Sequence, residues 1–409
     1  MSRKGDPLLQ LRRELDSLTS WQILVAVLFL VLFLFSPLVF MMWRAFYREG
    51  SITTYYFQSV VQDPDFLKMN PELTLFVIRD TPLGSFIFIG DRGPDFGILL
   101  NSVLVSLSVM VLCLIIGTGV AYLVVRYNFL GKTFFRTILL VPLLATPFVN
   151  AFVIGKVLGQ NGLFNQLLHD TLGILPFSVQ ITGLPALILI QTISFFPIVY
   201  LNAMSSFISI DPSMEEQAQS LGGKGFHVLR TITLPLAMPG ITAGAVLVFI
   251  LSLEDLGAPV GLSGAFGSGI HQRVMNFYIY GEFKRGLGSI EQIHPSTYAI
   301  AAIMLLIAVA TFIIIRKYVT LRKYAMIAKG SRYSLKVREL GKLGTATVIA
   351  LLTLLSLVVA FPQLGVLVLA FSDWATNGLP FPTAGTLKYV IDMWTEEEVL
   401  RAISNSLIY

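Results

Sequence analysis

The fold class this sequence predicts is all-α: a polytopic bundle of transmembrane helices. Three observations predict it. Of 409 residues, 55% are hydrophobic and only 13% charged, with a mean hydropathy of +0.75, whereas soluble domains carry roughly 25% charged residues. Seven apolar runs are close to or longer than the ~20 residues a helix needs to cross a bilayer. Lys and Arg gather in alternate loops between those runs, the arrangement that orients helices in a membrane. The net charge of +5 therefore belongs to membrane orientation and contact with membrane lipid, not to nucleic acid. The single cysteine, Cys113, lies inside an apolar run, which leaves no disulfide framework and no thiolate metal site. His169, His227, His271 and His294 are scattered at no metal-ligand spacing, so neither a metal nor another cofactor is expected.

In chain order, residues Met1 to Ser20 set Leu8, Leu11, Leu15 and Leu18 at helical spacing among Arg3, Lys4, Arg12 and Arg13. That is the pattern of an amphipathic helix lying on the cytoplasmic face. The run Trp21–Met42 is too long for a signal peptide and lacks a small-residue cleavage site, so it is read as the first span. Further spans are predicted over Leu99–Val125, Phe134–Val157, Gly183–Ile208, Leu236–Pro259, Thr297–Ile315 and Gly344–Phe371. Pro142, Pro147 and Pro197 fall inside spans, where they kink helices and free carbonyls that neighbours must satisfy. With a cytoplasmic N-terminus, the inside loops hold Arg126, Lys132 and Arg136, then Lys224 and Arg230, then the dense basic group from Arg316 to Lys342. The outside loops are 43–97, 158–182, 261–296 and the chain after Ser372. Within loop 43–97, Leu73–Ile78 and Ser85–Ile89 read as a hairpin. It suits either a cap over the outer vestibule or a contact for a solute-binding protein.

The polar island Asp211–Pro235 lies between two spans and so sits in water at a membrane face, the cytoplasmic one by the charge rule. Asp211 caps a helix, Pro212 takes its first position, and Glu215 and Glu216 favour the positive end of its dipole. Met214, Ala218 and Leu221 fall on one face before Gly222 and Gly223 stop the helix. A second short helix is predicted from Lys224 to Thr233, ended by Pro235. The spacing Glu216, Ala218, Gly222, Ile232, Leu234, Pro235 resembles the "EAA" loop of binding-protein-dependent ABC importer permeases, of the type I, MetI-like kind. Gln217 departs from the alanine usual in that family. The resemblance implies that Glu215, Glu216, Ala218, Gly222, Ile232, Leu234 and Pro235 form a coupling loop that docks on separate ABC ATPase subunits. A solvated loop with no partner is the plain alternative.

The chain itself shows no energy source. Gly131-Lys132-Thr133 ends like a phosphate-binding loop, but Arg126 stands where its first glycine belongs, and the segment follows a span instead of a strand. No Gly-x-Ser-x-Gly or His-Glu-x-x-His pattern is present, so the chain is read as no enzyme, with ATP hydrolysis left to a partner. Glu254 and Asp255 lie roughly 28 Å along the helix from Pro235, near the outer edge of the bilayer. They fit a gate or cation-attracting mouth as well as they fit snorkelling interface residues. Gln191 and Asn202 are further pathway candidates, although interhelical hydrogen bonds account for them equally.

An internal repeat is visible. Leu9, Leu11, Arg12, Pro37, Ala45 and Phe46 return as Leu335, Val337, Arg338, Pro362, Ala370 and Phe371 at nearly one offset, and Asn101-Ser102 returns as Asn405-Ser406. The layout is therefore a cytoplasmic amphipathic helix (1–20), a first permease unit of six spans (21–330, with outside loop 43–97 and coupling loop 211–235), and the start of a second, incomplete unit (331–409). The stretch around Glu254 is similar to the iron(III)-type fused double permeases. That similarity implies import of iron(III) or another small ion, delivered by an extracytoplasmic binding protein across the inner membrane of a prokaryote. It also implies a second permease unit, fused or separate. Polyamine, thiamine or phosphonate permeases resemble it too, and a secondary transporter driven by an ion gradient is the competing class.

Overall fold

The computed structural model describes residues 17–68, 70–71, 73–81, 84–159, 162–286, 293–321, 338–373 and 384–408. The expected amphipathic helix lies outside these residues up to residue 16, as do Leu9, Leu11, Arg12, Leu335 and Val337 of the repeat and much of the last basic group. The chain is a multi-pass α-helical membrane protein. Six helices among the described residues are long and apolar enough to cross a membrane, and a bent pair supplies material for a seventh span. Two compact units share the chain, residues 1–63 with 282–305 and residues 64–281 with 306–409.

The first unit opens with α1 (Leu18–Phe46), longer at both ends than the predicted Trp21–Met42. A π-turn over Val31–Phe35 widens the ladder just before Pro37, whose ring would otherwise strike the carbonyl of the preceding turn. Further along α1, Phe40 meets Tyr298 edge to face at 6.4 Å and the Arg44 guanidinium lies over the same ring at 5.8 Å. β1 (Tyr47–Arg48) and β2 (Ser51–Ile52) then form a small antiparallel ribbon ahead of α2 (Tyr55–Gln62).

The second unit carries the hairpin expected in loop 43–97, shifted along the chain. β3 (Phe76–Thr81) pairs antiparallel with β4 (Gly84–Ile89), and β6 (Ser178–Ile181) adds a parallel strand that sequence pattern did not suggest. From the hairpin the chain enters α3 (Ile98–Arg126), followed by the two-residue β5 (Tyr127–Asn128). The core of this unit is the packing of α3 with α6 (Gly183–Ile208) and α8 (Gly225–Glu254). Val109, Cys113 and Ala121 of α3, Ile190, Val199 and Tyr200 of α6, and Ala237 and Val248 of α8 are almost wholly buried there. Helices in a bilayer gain no hydrophobic drive from burying Leu against Leu, so close backbone approach matters. Gly117 supplies it: a Cβ there would lie 2.9 Å from Tyr200 N and 3.0 Å from Phe196 O.

The run predicted as one span over Phe134–Val157 is two helices. α4 (Lys132–Leu144) and α5 (Pro147–Leu158) meet at 99°. Pro142 and Pro147 remove two backbone donors, Thr146 is extended, and Pro147 starts a new helix in the first-turn position where proline is favoured. The predicted span Leu236–Pro259 also divides. α8 ends at Glu254, and Pro259 lies in a separate short helix, α9 (Gly257–Phe266), which packs along α5. Two further helices, α10 (Met275–Arg285) and α11 (Pro295–Leu321), have residues in both units. A two-residue strand, β7 (Arg338–Glu339), pairs parallel with β5 just before α12 (Lys342–Ala370). α12 lies against α4 and α5, where the amides of Gln363 and Asn150 meet at 3.1 Å. The described chain closes with α13 (Lys388–Thr395) and α14 (Glu397–Ile408).

Candidate functional site

At the end of the bundle where α6 finishes and α8 begins, the island 211–235 folds as a helical elbow. Its first arm, α7 (Pro212–Ser220), is capped by the Asp211 carboxylate, which accepts from Ser213 N at 2.9 Å. Its last turn closes with two backbone bonds: Gly222 N donates to Gln219 O at 3.0 Å and Gly223 N to Ala218 O at 2.9 Å. This is a Schellman turn, which needs a left-handed residue just past the helix, and Gly222 sits at φ +88°.

The elbow's second arm differs from the expected short helix. α8 starts at Gly225 and runs unbroken through Pro235 into the membrane, with a π-turn over Leu229–Thr233. Pro235 does not end a helix. It stands in the first turn after the widened π segment, where its missing N–H is tolerated.

The two glutamates that the sequence places together part company. Glu216 is exposed, as are Gln217, Met214, Leu221 (90%) and Phe226 (74%). Glu215 is buried, forms an ion pair with Arg126 at the end of α3, and accepts a 2.5 Å hydrogen bond from Thr233 Oγ1. Ala218, Ile232, Leu234 and Pro235 are half-buried along the seam between the arms.

A second cluster lies at the far end of α8. Gln191 Nε2 of α6 donates to Asp255 Oδ2 at 2.9 Å, and Ser252 Oγ donates to Gln191 Oε1 at 2.6 Å. The Asp255 carboxylate also accepts from Gly257 N (2.9 Å) and Ala258 N (3.3 Å) at the start of α9, while Asn276 Nδ2 donates to the Asp255 carbonyl. Its carboxyl group thus sits at the N-terminal end of α9. Of the four pathway candidates, the fold brings Gln191 and Asp255 together. Glu254 is exposed and makes none of these bonds, and Asn202, several turns further along α6, donates to Ile198 O within its own helix at 2.8 Å. Ser252 and Asn276 belong to the cluster and were not singled out by sequence.

At the hairpin end, a polar clip also escaped sequence reasoning. Buried Asp95 accepts from Lys68 (2.6 Å), Arg273 (3.1 Å), Asn101 Nδ2 (2.9 Å) and Gly97 N (3.1 Å). Burial alone raises this carboxyl, but the bonds from Lys68, Asn101 and Gly97 and the charge of Arg273 outweigh it and hold it below the usual carboxylate range. Only the acid–base complementarity of loop residues hints at this clip, and nothing in the spacing pairs them. Among the described residues no three His, Cys, Asp or Glu side chains gather as a metal site.

Comparison with known proteins places this geometry. Residues 114–323, just over half of the chain, match the family described as "binding-protein-dependent transport system inner membrane component". The molybdenum transport system permease protein ModB of Haemophilus influenzae is 35% identical over 159 residues, 39% of this chain and 68% of that protein. The spermidine/putrescine transport system permease protein PotC of Escherichia coli is 30% identical over 198 residues, 47% of this chain and 63% of that protein. A solved bacterial ABC transporter involved in the import of the acidic polysaccharide alginate shares the fold with a TM-score of 0.54 at 16% identity, covering 78% of this chain and 100% of that one. These names give molybdenum, polyamine and alginate, and none of them gives iron, the ion implied by the similarity around Glu254.

Proposed function

Because the chain belongs to the family of binding-protein-dependent transport system inner membrane components, we propose that it serves an ATP-driven importer whose ATPase subunits dock on the elbow 211–235 from the cytoplasm. The observation that carries this reading is the shape of the elbow. The short arm and the turn after it present Glu216, Gln217 and Leu221 to solvent, Phe226 is exposed at the start of the other arm, and that arm continues without a break into the membrane as α8. A push on the exposed arm therefore reaches the middle of the bundle along one rigid helix. ATP is hydrolysed by the partner, the solute arrives on a binding protein at the opposite, outer face, and the N-terminus lies in the cytoplasm of a prokaryote.

For the solute we propose molybdenum as its oxyanion in preference to iron(III). Support comes from the molybdenum permeases of Haemophilus influenzae and Escherichia coli, 35% and 32% identical, and from Asp255, whose carboxylate is already engaged by three donors and is poorly placed to hold a metal cation. A polyamine is the second reading, favoured by the 30% identity to PotC. The equal length of α1 and α12, 29 residues each, and the prolines within them support a second permease unit beginning after residue 330.

The test is purification of the chain from its native membrane without crosslinking, with identification of what accompanies it. An ATPase that is lost when Glu216 and Gly222 are replaced, with ATP-dependent uptake of molybdate by the intact vesicles, is the expected result. Recovery of the chain alone, with uptake driven by an ion gradient, would overturn the reading.

A further inference from the structure

We propose that Arg126 is a positioning residue that ties the docking arm of the elbow to α3, so that α7, the start of α8 and the end of α3 move as one body. The proposal rests on the reading of the elbow as the ATPase dock. Glu215 is the one buried residue of α7. The arm is therefore held to the bundle largely through one carboxylate instead of through an apolar face. That carboxylate meets Arg126, itself 6% exposed, and Thr233, 2% exposed, in the π-turn of α8. Arg126 of α3 and Thr233 of α8 thus converge on a single oxygen of α7, Glu215 Oε1.

Desolvated charges make such a tie stiff. Separating a buried pair leaves two uncompensated ions, a far larger penalty than parting an exposed pair. The helix dipoles act in the same sense, since Glu215 lies in the first turn of α7 and Arg126 in the last turn of α3. The connection also extends sideways. Tyr127 and Asn128, directly after Arg126, are paired as β5 with Arg338 and Glu339, which lead into α12. A displacement of α7 is thereby delivered to α3 and towards α12 as well as along α8.

The test uses the complex as it is purified from the membrane. Nitroxide labels are placed at Leu130→Cys, just beyond α3, and Gln219→Cys, one turn after Glu215 and exposed; the native Cys113 is buried and stays unlabelled. The distance between them is measured without nucleotide and with ATP and vanadate. It is expected to stay constant within about 2 Å, the scale of ordinary helix shifts, in the otherwise unaltered chain. It is expected to change in Arg126→Met/Glu215→Met, an apolar replacement of the kind that buried ion pairs tolerate without unfolding. Uptake per ATP hydrolysed should fall at least about tenfold in that variant, equivalent to about 1.4 kcal/mol of lost coupling. Separation of the labels on nucleotide binding in the unaltered chain, or wild-type uptake per ATP in the double variant, would overturn the tie. If no ATPase accompanies the chain at all, the docking reading fails first and the tie falls with it.

Discussion

Gly222 offers a graded test of the elbow because only its backbone conformation is at stake. A Cβ built on it meets nothing within 4 Å, so a side chain there creates no clash and should leave the amount of protein in the membrane unchanged. What it does meet is φ +88°, a region that costs an ordinary L-residue about 1–2 kcal/mol. Alanine should therefore lower the equilibrium constant for the native turn by about 5- to 30-fold, at 1.4 kcal/mol per factor of ten. Asparagine tolerates left-handed backbone and should stay within about threefold of wild type. Aspartate tolerates left-handed backbone much as asparagine does but adds a negative charge at the negative end of α7, about 0.3–1 kcal/mol, and should fall roughly 2- to 5-fold below asparagine. The assay is solute uptake per ATP hydrolysed in membrane vesicles carrying matched amounts of each variant. Asparagine is expected to be best, with aspartate and alanine both below it. Wild-type coupling in both Gly222→Ala and Gly222→Asp would refute the argument that the turn is a mechanical element, and an asparagine variant as poor as alanine would show that side-chain bulk matters and backbone conformation does not.

Two further outcomes follow from the packing and the buried histidine. Gly117→Leu forces a side chain into the 2.9–3.0 Å gap against the α6 backbone and should cost about 1–3 kcal/mol or more, read as a lower unfolding temperature in detergent; unchanged melting would contradict the α3–α6 contact. Burial pushes the His271 imidazole down to about 4 from 6.5, with a backbone hydrogen bond to Gly267 offsetting it only in part. The folded state thus keeps this histidine neutral where the unfolded chain protonates it. Its stability is highest above pH 6.5 and declines as pH falls from 6.5 to 4, by about 3 kcal/mol in all. His271→Gln should flatten that limb of a denaturation profile, and an unaltered pH profile would rule the assignment out.

How much of this was legible from sequence depended on the range of the interaction. Spans such as Gly183–Ile208 could be read to the residue, because a bilayer demands a long apolar helix and nothing else satisfies its backbone. The break between α4 and α5 was half visible: Pro142 and Pro147 announce a kink, but the 99° angle is set by what α5 packs against, α9 and α12, far along the chain. Asp211, Pro212 and Gly222 act where local rules put them. Pro235 does not, because a π-turn upstream absorbs the defect it would otherwise cause. Glu254 and Asp255 looked alike as a pair of carboxylates, and the end of α8 between them gives each a different environment. Arg126 with Glu215, and Asp95 with Lys68 and Arg273, were invisible as pairs, since each residue alone is explained by loop charge and only the fold makes them neighbours.

The meeting of Gln363 with Asn150 has a consequence for how the protein is made. Asn150 is wholly buried and its partner lies 213 residues later. At about 5–20 residues per second, a ribosome needs roughly 10–40 s to cover that interval. For most of that time Asn150 of α5 lacks its contact with Gln363, and the bond from its Nδ2 to Ser194 Oγ ties it to α6. The bent helix is thus an early arrival that waits for a late one.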